Sequence, residues 1–178
     1  GAQLAVIIGD DLEPSQIDMV STLIPHLLTL IDAENLPYTR TSFAAIISLL
    51  NQGLSQASLV SQIFETVISV LENEEMRGYH DTSMEAIQSV IFALEEDVLP
   101  YANQILPIII KGATISSDDP NLESIKRQSI IALGMLLRFG SEAIENNIQE
   151  AIEHILSSTD LNDIEMNHSV LFALGNLI

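Results

Sequence analysis

Four apolar slots recur along this chain at nearly constant intervals, and that recurrence limits the folds open to it more than any other feature. In the stretch Ile125 to Gly140, IKRQSIIALGMLLRFG, the residues Ile130, Leu133, Gly134 and Leu137 stand at i, i+3, i+4 and i+7. That spacing puts them on one face of a helix. The same slots hold Phe43, Ile46, Ile47 and Leu50, then Ile87, Val90, Ile91 and Leu94, then Leu171, Leu174, Gly175 and Ile178. Their first members lie 44, 43 and 41 residues apart, and the string ALG with Leu two residues on occurs at Ala132 to Leu136 and again at Ala173 to Leu177. Each interval leaves room for one further helix. A helix pair of this size cannot bury its apolar stripe alone, so the pairs are expected to stack.

The predicted architecture is therefore all-α. It is a right-handed α-solenoid of antiparallel helix pairs, with about four repeats at residues 15–53, 55–97, 98–140 and 141–178, and residues 1–9 ending a preceding pair. The pattern is already running at the first residues and is still running at Ile178, which predicts a fragment of a longer array. Pro14 and Ser15 open a first helix with Val20, Leu23, Ile24, Leu27 and Ile31 inward, and Pro25 inside it predicts a kink. Pro107 holds the same place two copies later and predicts the same kink. The other first helices are expected to bury Leu59, Ile63, Val67 and Val70, and then Ile144, Ile148, Ile152 and Ile155, with ENEEMRGYHD as the longest turn. Glycine within a helix costs about 1 kcal/mol relative to alanine. Gly134 and Gly175 are thus expected to mark places where a neighbouring helix comes close.

With 47% apolar and 17% charged residues the chain can bury a core, and disorder is not expected. Six basic residues against 25 acidic ones give a net charge of −19, which opposes DNA or RNA as a ligand and favours basic or neutral protein partners. No apolar run reaches the length of a membrane span, no signal-peptide pattern is visible, and cysteine is absent. The absence of cysteine fits a reducing compartment.

Motifs for chemistry are lacking. The chain has no phosphate-binding glycine loop, HExxH, EF-hand or nucleophile elbow. His154 follows Glu150 by one helical turn, but two ligands without a third make a poor metal site, and His26, His80 and His168 are scattered. No catalytic residue, cofactor or metal is expected.

Candidate binding residues fall into two groups. The turns from first to second helix carry Asp32, Glu34, Glu72, Glu74, Glu75, Asp81, Asp118, Asp119, Asp160 and Asp163, opposed only by Arg77. If every repeat points this turn the same way, the acids form a negative strip that is either a solvated edge or an attractor for basic partners. The outward second-helix positions are Thr41, Ser48, Glu85, Gln88, Phe92, Gln128, Met135, Ser169, Phe172 and Asn176. Either they line a partner surface, with Phe92 and Met135 offering apolar contact, or the three large apolar residues pack between repeats. The residues expected to bind protein are Glu72, Glu74, Glu75, Asp81, Glu85, Gln88, Phe92, Asp118, Asp119, Gln128, Asp160 and Asp163.

The period and the ALG-bearing helix resemble HEAT repeats over nearly the whole chain. The passage from Ala86 to Ile110, AIQSVIFALEEDVLPYANQILPIII, is similar to the repeat junction of importin-beta-type karyopherins, through Glu95 to Asp97, Pro100, Tyr101, Leu106 and Pro107. The resemblance implies a nuclear transport receptor, located in cytoplasm and nucleus, that binds basic cargo, the GTPase Ran or nucleoporins. The alternative it leaves is a HEAT scaffold or regulatory subunit of the phosphatase, condensin or proteasome-associated type. The absence of tryptophan separates the chain from importin-alpha-type arrays.

The proposed register has a direct consequence. Leu133→Asp places a carboxylate on the core face and is expected to cost several kcal/mol in thermal unfolding, whereas Gln128→Asp on the outer face is expected to be nearly silent.

Overall fold

The computed structural model describes residues 14–32, 36–54, 56–116, 119–160 and 162–177, and among them every regular element is helical. One unit, Gly1–Leu94, holds α1 (Pro14–Ser21), α2 (Ile24–Leu28), α3 (Leu36–Asn51), α4 (Ala57–Glu72), a 3₁₀ segment (Glu74–Tyr79) and α5 (His80–Leu94). The other, Glu95–Ile178, holds a 3₁₀ segment (Glu95–Val98), α6 (Leu99–Ala113), α7 (Pro120–Gly140), a 3₁₀ segment (Ser141–Asn147), α8 (Ile148–Ser157) and α9 (Ile164–Gly175). The whole of the predicted segment 1–9, Glu34, Asp118 and Ile178 lie outside the described residues.

Both units are built the same way. In the first, α3 and α5 lie side by side, α4 packs on α5, and α2 packs on α3 and α4. In the second, α7 and α9 lie side by side, α6 packs on α7, and α8 packs on α6, α7 and α9. Each unit is thus a layer of first helices against a layer of second helices, with the core between them.

The slots behave as expected in three of their four copies. Phe43, Ile46, Ile87, Val90, Ile91, Ile130 and Leu133 are all 0% exposed, and Ile47, Leu50, Leu94 and Leu137 are buried. The fourth copy departs from the pattern. Leu171 is 67% exposed and Gly175 is exposed, while α9 buries Met166, Ser169, Val170 and Ala173. The reason lies in what covers each helix: α6, α8 and α9 all pack on α7, whereas α9 packs principally on α7 and α8. Only its side toward those two is buried.

The two prolines also differ. Pro25 has no N–H to give to the carbonyl of Ser21, and the helix breaks there: Leu23 N–H bonds Val20 O at 2.9 Å, and Pro25 enters the first turn of α2. The break turns Leu23 outward, 41% exposed, although Val20, Ile24, Leu27 and Ile31 are buried as predicted. Pro107 instead lies inside an unbroken α6. Both Pro107 and Asn103, whose carbonyl loses its donor, are exposed, so solvent can take the freed acceptor. The expected long turn ENEEMRGYHD is mostly 3₁₀ helix, with Met76 buried beneath it.

Helix ends follow local chemistry. After α3, Gly53 adopts a left-handed φ of 97°. Gly53 N–H then bonds Leu50 O, and Leu54 N–H bonds Leu49 O, both at 3.0 Å, which closes a Schellman cap over the buried Leu54. Among the inward residues of the remaining first helices, Ile63, Val67, Val70, Ile144 and Ile155 are buried, and Leu59, Ile148 and Ile152 are half-buried.

Gly134 is the close-approach point that its position predicted. A Cβ built there would lie 2.5 Å from Ala173 Cα and 2.7 Å from Ala173 O, and backbone cannot yield as a flexible side chain can. Gly175 has no such neighbour, since a Cβ there meets nothing within 4 Å. Gly134→Ala is therefore expected to destabilise the chain by about 1–3 kcal/mol through overpacking. Gly175→Ala is expected to leave stability unchanged or raise it by up to about 1 kcal/mol. Denaturant melts of both variants check the contrast.

Candidate functional site

Four acids of the turns, Asp81, Asp119, Asp160 and Asp163, bond the backbone. Asp119 caps α7, its Oδ1 accepting Asn121 N–H at 2.9 Å, and Asp163 caps α9, its Oδ1 accepting Met166 N–H at 2.8 Å. Asp160 Oδ1 accepts Asn162 N–H at 2.9 Å. In the other unit, Asp81 Oδ1 accepts from Thr82 N–H at 2.7 Å and Thr82 Oγ1 at 3.2 Å. Glu74 and Glu75 open the 3₁₀ segment behind the cap Asn73, which accepts Glu75 N–H at 2.9 Å. A helix start has unsatisfied N–H groups and a positive dipole end, and short carboxylates answer both. These acids thus have a structural role whatever else they do.

Their exposure varies. Glu72, Glu74, Glu75, Asp119 and Asp160 are exposed, and Asp81 and Asp163 are half-buried. Asp160 and Asp163 line a recess of about 400 Å³ together with Glu123, Lys126, Ser116, Ser158, Ile115 and Met166. Asp118 lies outside the described residues, so its place in this group is not described.

The outer side of the second helices is mixed. Glu85 and Phe92 on α5 are exposed, Phe92 to 49%, and Gln88 on α5 and Gln128 on α7 are half-buried. Phe172 is 54% exposed. Two of the predicted outward residues face inward: Met135 is 8% and Ser169 7% exposed. With α7 and α9 lying side by side, the flank of each is covered by the other, and Ser169 Oγ turns back to Glu165 O at 3.1 Å.

Between α3 and α5 lies an open cleft of about 410 Å³, lined by Arg40, Ala44, Ile47, Ser48, Asn51 and Gln52 from one helix and Thr82 and Glu85 from the other. Of these only Glu85 and Ser48 were expected to face outward, and Ile47 was expected in the core. Arg40 is the one cation among the described lining residues. Nη1 donates to Thr82 Oγ1 at 3.2 Å, Nη2 donates to Gly78 O at 3.3 Å, and the guanidinium lies 5.7 Å from the Tyr79 ring centroid. In the second unit Arg127 reaches Glu165 at 3.3 Å, and Arg138 Nη1 donates to Asn176 Oδ1 at 3.4 Å. Each arginine joins one second helix to the next. A signal for two of them was present: Arg40 and Arg127 both stand three residues before the first slot, at Phe43 and Ile130.

Among the described residues no three His, Asp or Glu side chains converge as metal ligands. His154 Nε2 lies 3.7 Å from Glu150 Oε1, and the pair has no third member. No helix of the described residues is long and apolar enough to cross a membrane.

The capping geometry separates acids that shape the turns from acids that only surround them. Asp119→Ala and Asp163→Ala are each expected to cost about 1 kcal/mol of stability. Glu72→Ala, at an exposed position, is expected to stay within about 0.5 kcal/mol of wild type. Thermal unfolding of the three variants checks this. Comparison with protein-family models, with curated proteins and with solved structures gives no match to this chain.

Proposed function

We propose that this chain is a non-catalytic, protein-binding segment of a HEAT-type α-solenoid. The observation that carries the reading is the open, mixed-polarity cleft between consecutive second helices α3 and α5. Paired helices stacked by a recurrent apolar stripe expose such a surface as a consequence of how they bury their core, and stacked pairs suit extended partners. The slot recurrence through Phe43, Ile87 and Ile130, all fully buried, supports the repeat assignment.

The finer proposal is a karyopherin-β-like transport receptor that binds basic cargo, Ran or nucleoporins, acting in cytoplasm and nucleus without a cofactor. A net charge of −19 supports basic partners, because the capping acids remain charged surface even while they bond the backbone. A scaffold or regulatory subunit is the second reading. It is favoured by the large apolar side chains exposed on one unit, Leu156, Ile164, Leu171, Phe172 and Leu177, which suit contacts indifferent to salt.

The two readings separate in one capture experiment with the immobilised chain, washed at about 50 and then about 300 mM salt, where screening shortens to within a few ångströms of contact. A transport receptor is expected to hold basic nuclear proteins at low salt and to release them to high salt or to GTP-loaded Ran. A scaffold is expected to keep one stoichiometric partner set through both washes and to ignore Ran.

A further inference from the structure

Arg40 and Arg127 occupy the same place in the repeat but meet different partners. Arg127 has a carboxylate, Glu165, at 3.3 Å. Arg40 has only neutral oxygens, Thr82 Oγ1 and Gly78 O, with the Tyr79 ring beside it. Asp81, which precedes Thr82 in the sequence, uses Oδ1 to accept from the N–H and hydroxyl of Thr82. The guanidinium is always charged and carries five N–H donors in a fixed fork. Arg40 is thus a charged, partly exposed group held in place from three sides and facing a cleft with no carboxylate bonded to it among the described residues. A cation so pre-organised loses little freedom on taking a carboxylate, and charge-assisted bonds of this kind are the strong ones.

The lining of the cleft suits a peptide. Asn51 and Gln52 stand on the same wall as Arg40 and carry carboxamides that both donate and accept, as a peptide main chain requires. Glu85 stands on the opposite wall and opposes a second negative charge.

We propose that the α3–α5 cleft binds an extended polypeptide segment bearing a single carboxylate. The carboxylate seats on the Arg40 fork, the main chain runs along Asn51 and Gln52, and uncharged or basic neighbours face Glu85. This rests on the reading of the second-helix surface as protein-binding and gives that surface one recognition element. The rest of the chain is strongly negative, so a carboxylate gains only by direct contact with Arg40, where screening acts least.

The test is an NMR titration of the ¹⁵N-labelled chain with acetyl-Ala-Ser-Asp-Ser-Ala-amide and with its counterpart carrying Asn for Asp. The aspartate peptide is expected to shift amides of α3 and α5 around the cleft and to bind about ten-fold more tightly than the asparagine peptide. Arg40→Gln is expected to abolish that preference, Arg40→Lys to keep only part of it because an ammonium lacks the fork, and Arg127→Gln to leave it intact. Equal affinity for the two peptides, shifts located away from the cleft, or a preference that survives Arg40→Gln overturns the proposal. Capture of protein partners that persists alongside such a result overturns this recognition element alone and leaves the protein-binding reading standing.

Discussion

The close contact of α7 and α9 depends on small residues, Gly134 on one helix and Ala173 on the other, whose backbones come within a distance that no Cβ at Gly134 would permit. A small buried residue stands two positions after the first slot in every copy: Ala45, Ser89, Ala132 and Ala173 are 0%, 6%, 0% and 0% exposed. Beside that contact the large slot residues of α7, Ile130, Leu133 and Leu137, are buried in the core. Loss of apolar surface to water then supplies the stabilisation, at roughly 25 cal/mol per Å². Polar contacts on the outer side add direction and little energy.

Capping explains why the acids cluster where they do. Asp119 and Asp163 each begin a second helix after a short turn, and each satisfies an N–H that would otherwise lack a partner. The negative charge of the turns therefore follows in part from having many helix starts and few residues between them. A −19 chain built this way carries its charge at fixed, regularly recurring positions, and an attraction for basic partners can arise from residues whose first role is to start helices.

Much of the fold was legible because burial on both sides of a helix writes a strong apolar period. Three slot copies and most inward first-helix residues were readable for that reason. The fourth copy misled, since Leu171 and Gly175 keep the period although the packed side of α9 carries Met166, Val170 and Ala173. Periodicity reports which residues share a face and is silent on which neighbour covers it. Pro25 and Pro107 look alike in sequence, yet one breaks a helix and the other is accommodated within it. The difference depends on whether the flanking turns hold the helix together. The site was less legible still. Arg40 reads as an ordinary surface cation until the packing of α3 beside α5 brings Thr82 and Gly78 to it.

The arginines that cross between second helices are not what holds either unit together. The Arg127–Glu165 pair has side chains 22% and 76% exposed, and ion pairs so open to water contribute at most about 1 kcal/mol. Their effect is on alignment: a planar fork that reaches one oxygen of the next helix disfavours sliding of that helix by a residue, while apolar stripes tolerate it more readily. In the second unit a carboxylate completes this alignment. In the first, a hydroxyl and a carbonyl do, and the charge of Arg40 is left without an opposite charge in direct contact among the described residues. The same structural device thus ends as a closed ion pair in one unit and as an open, oriented cation beside a cleft in the other.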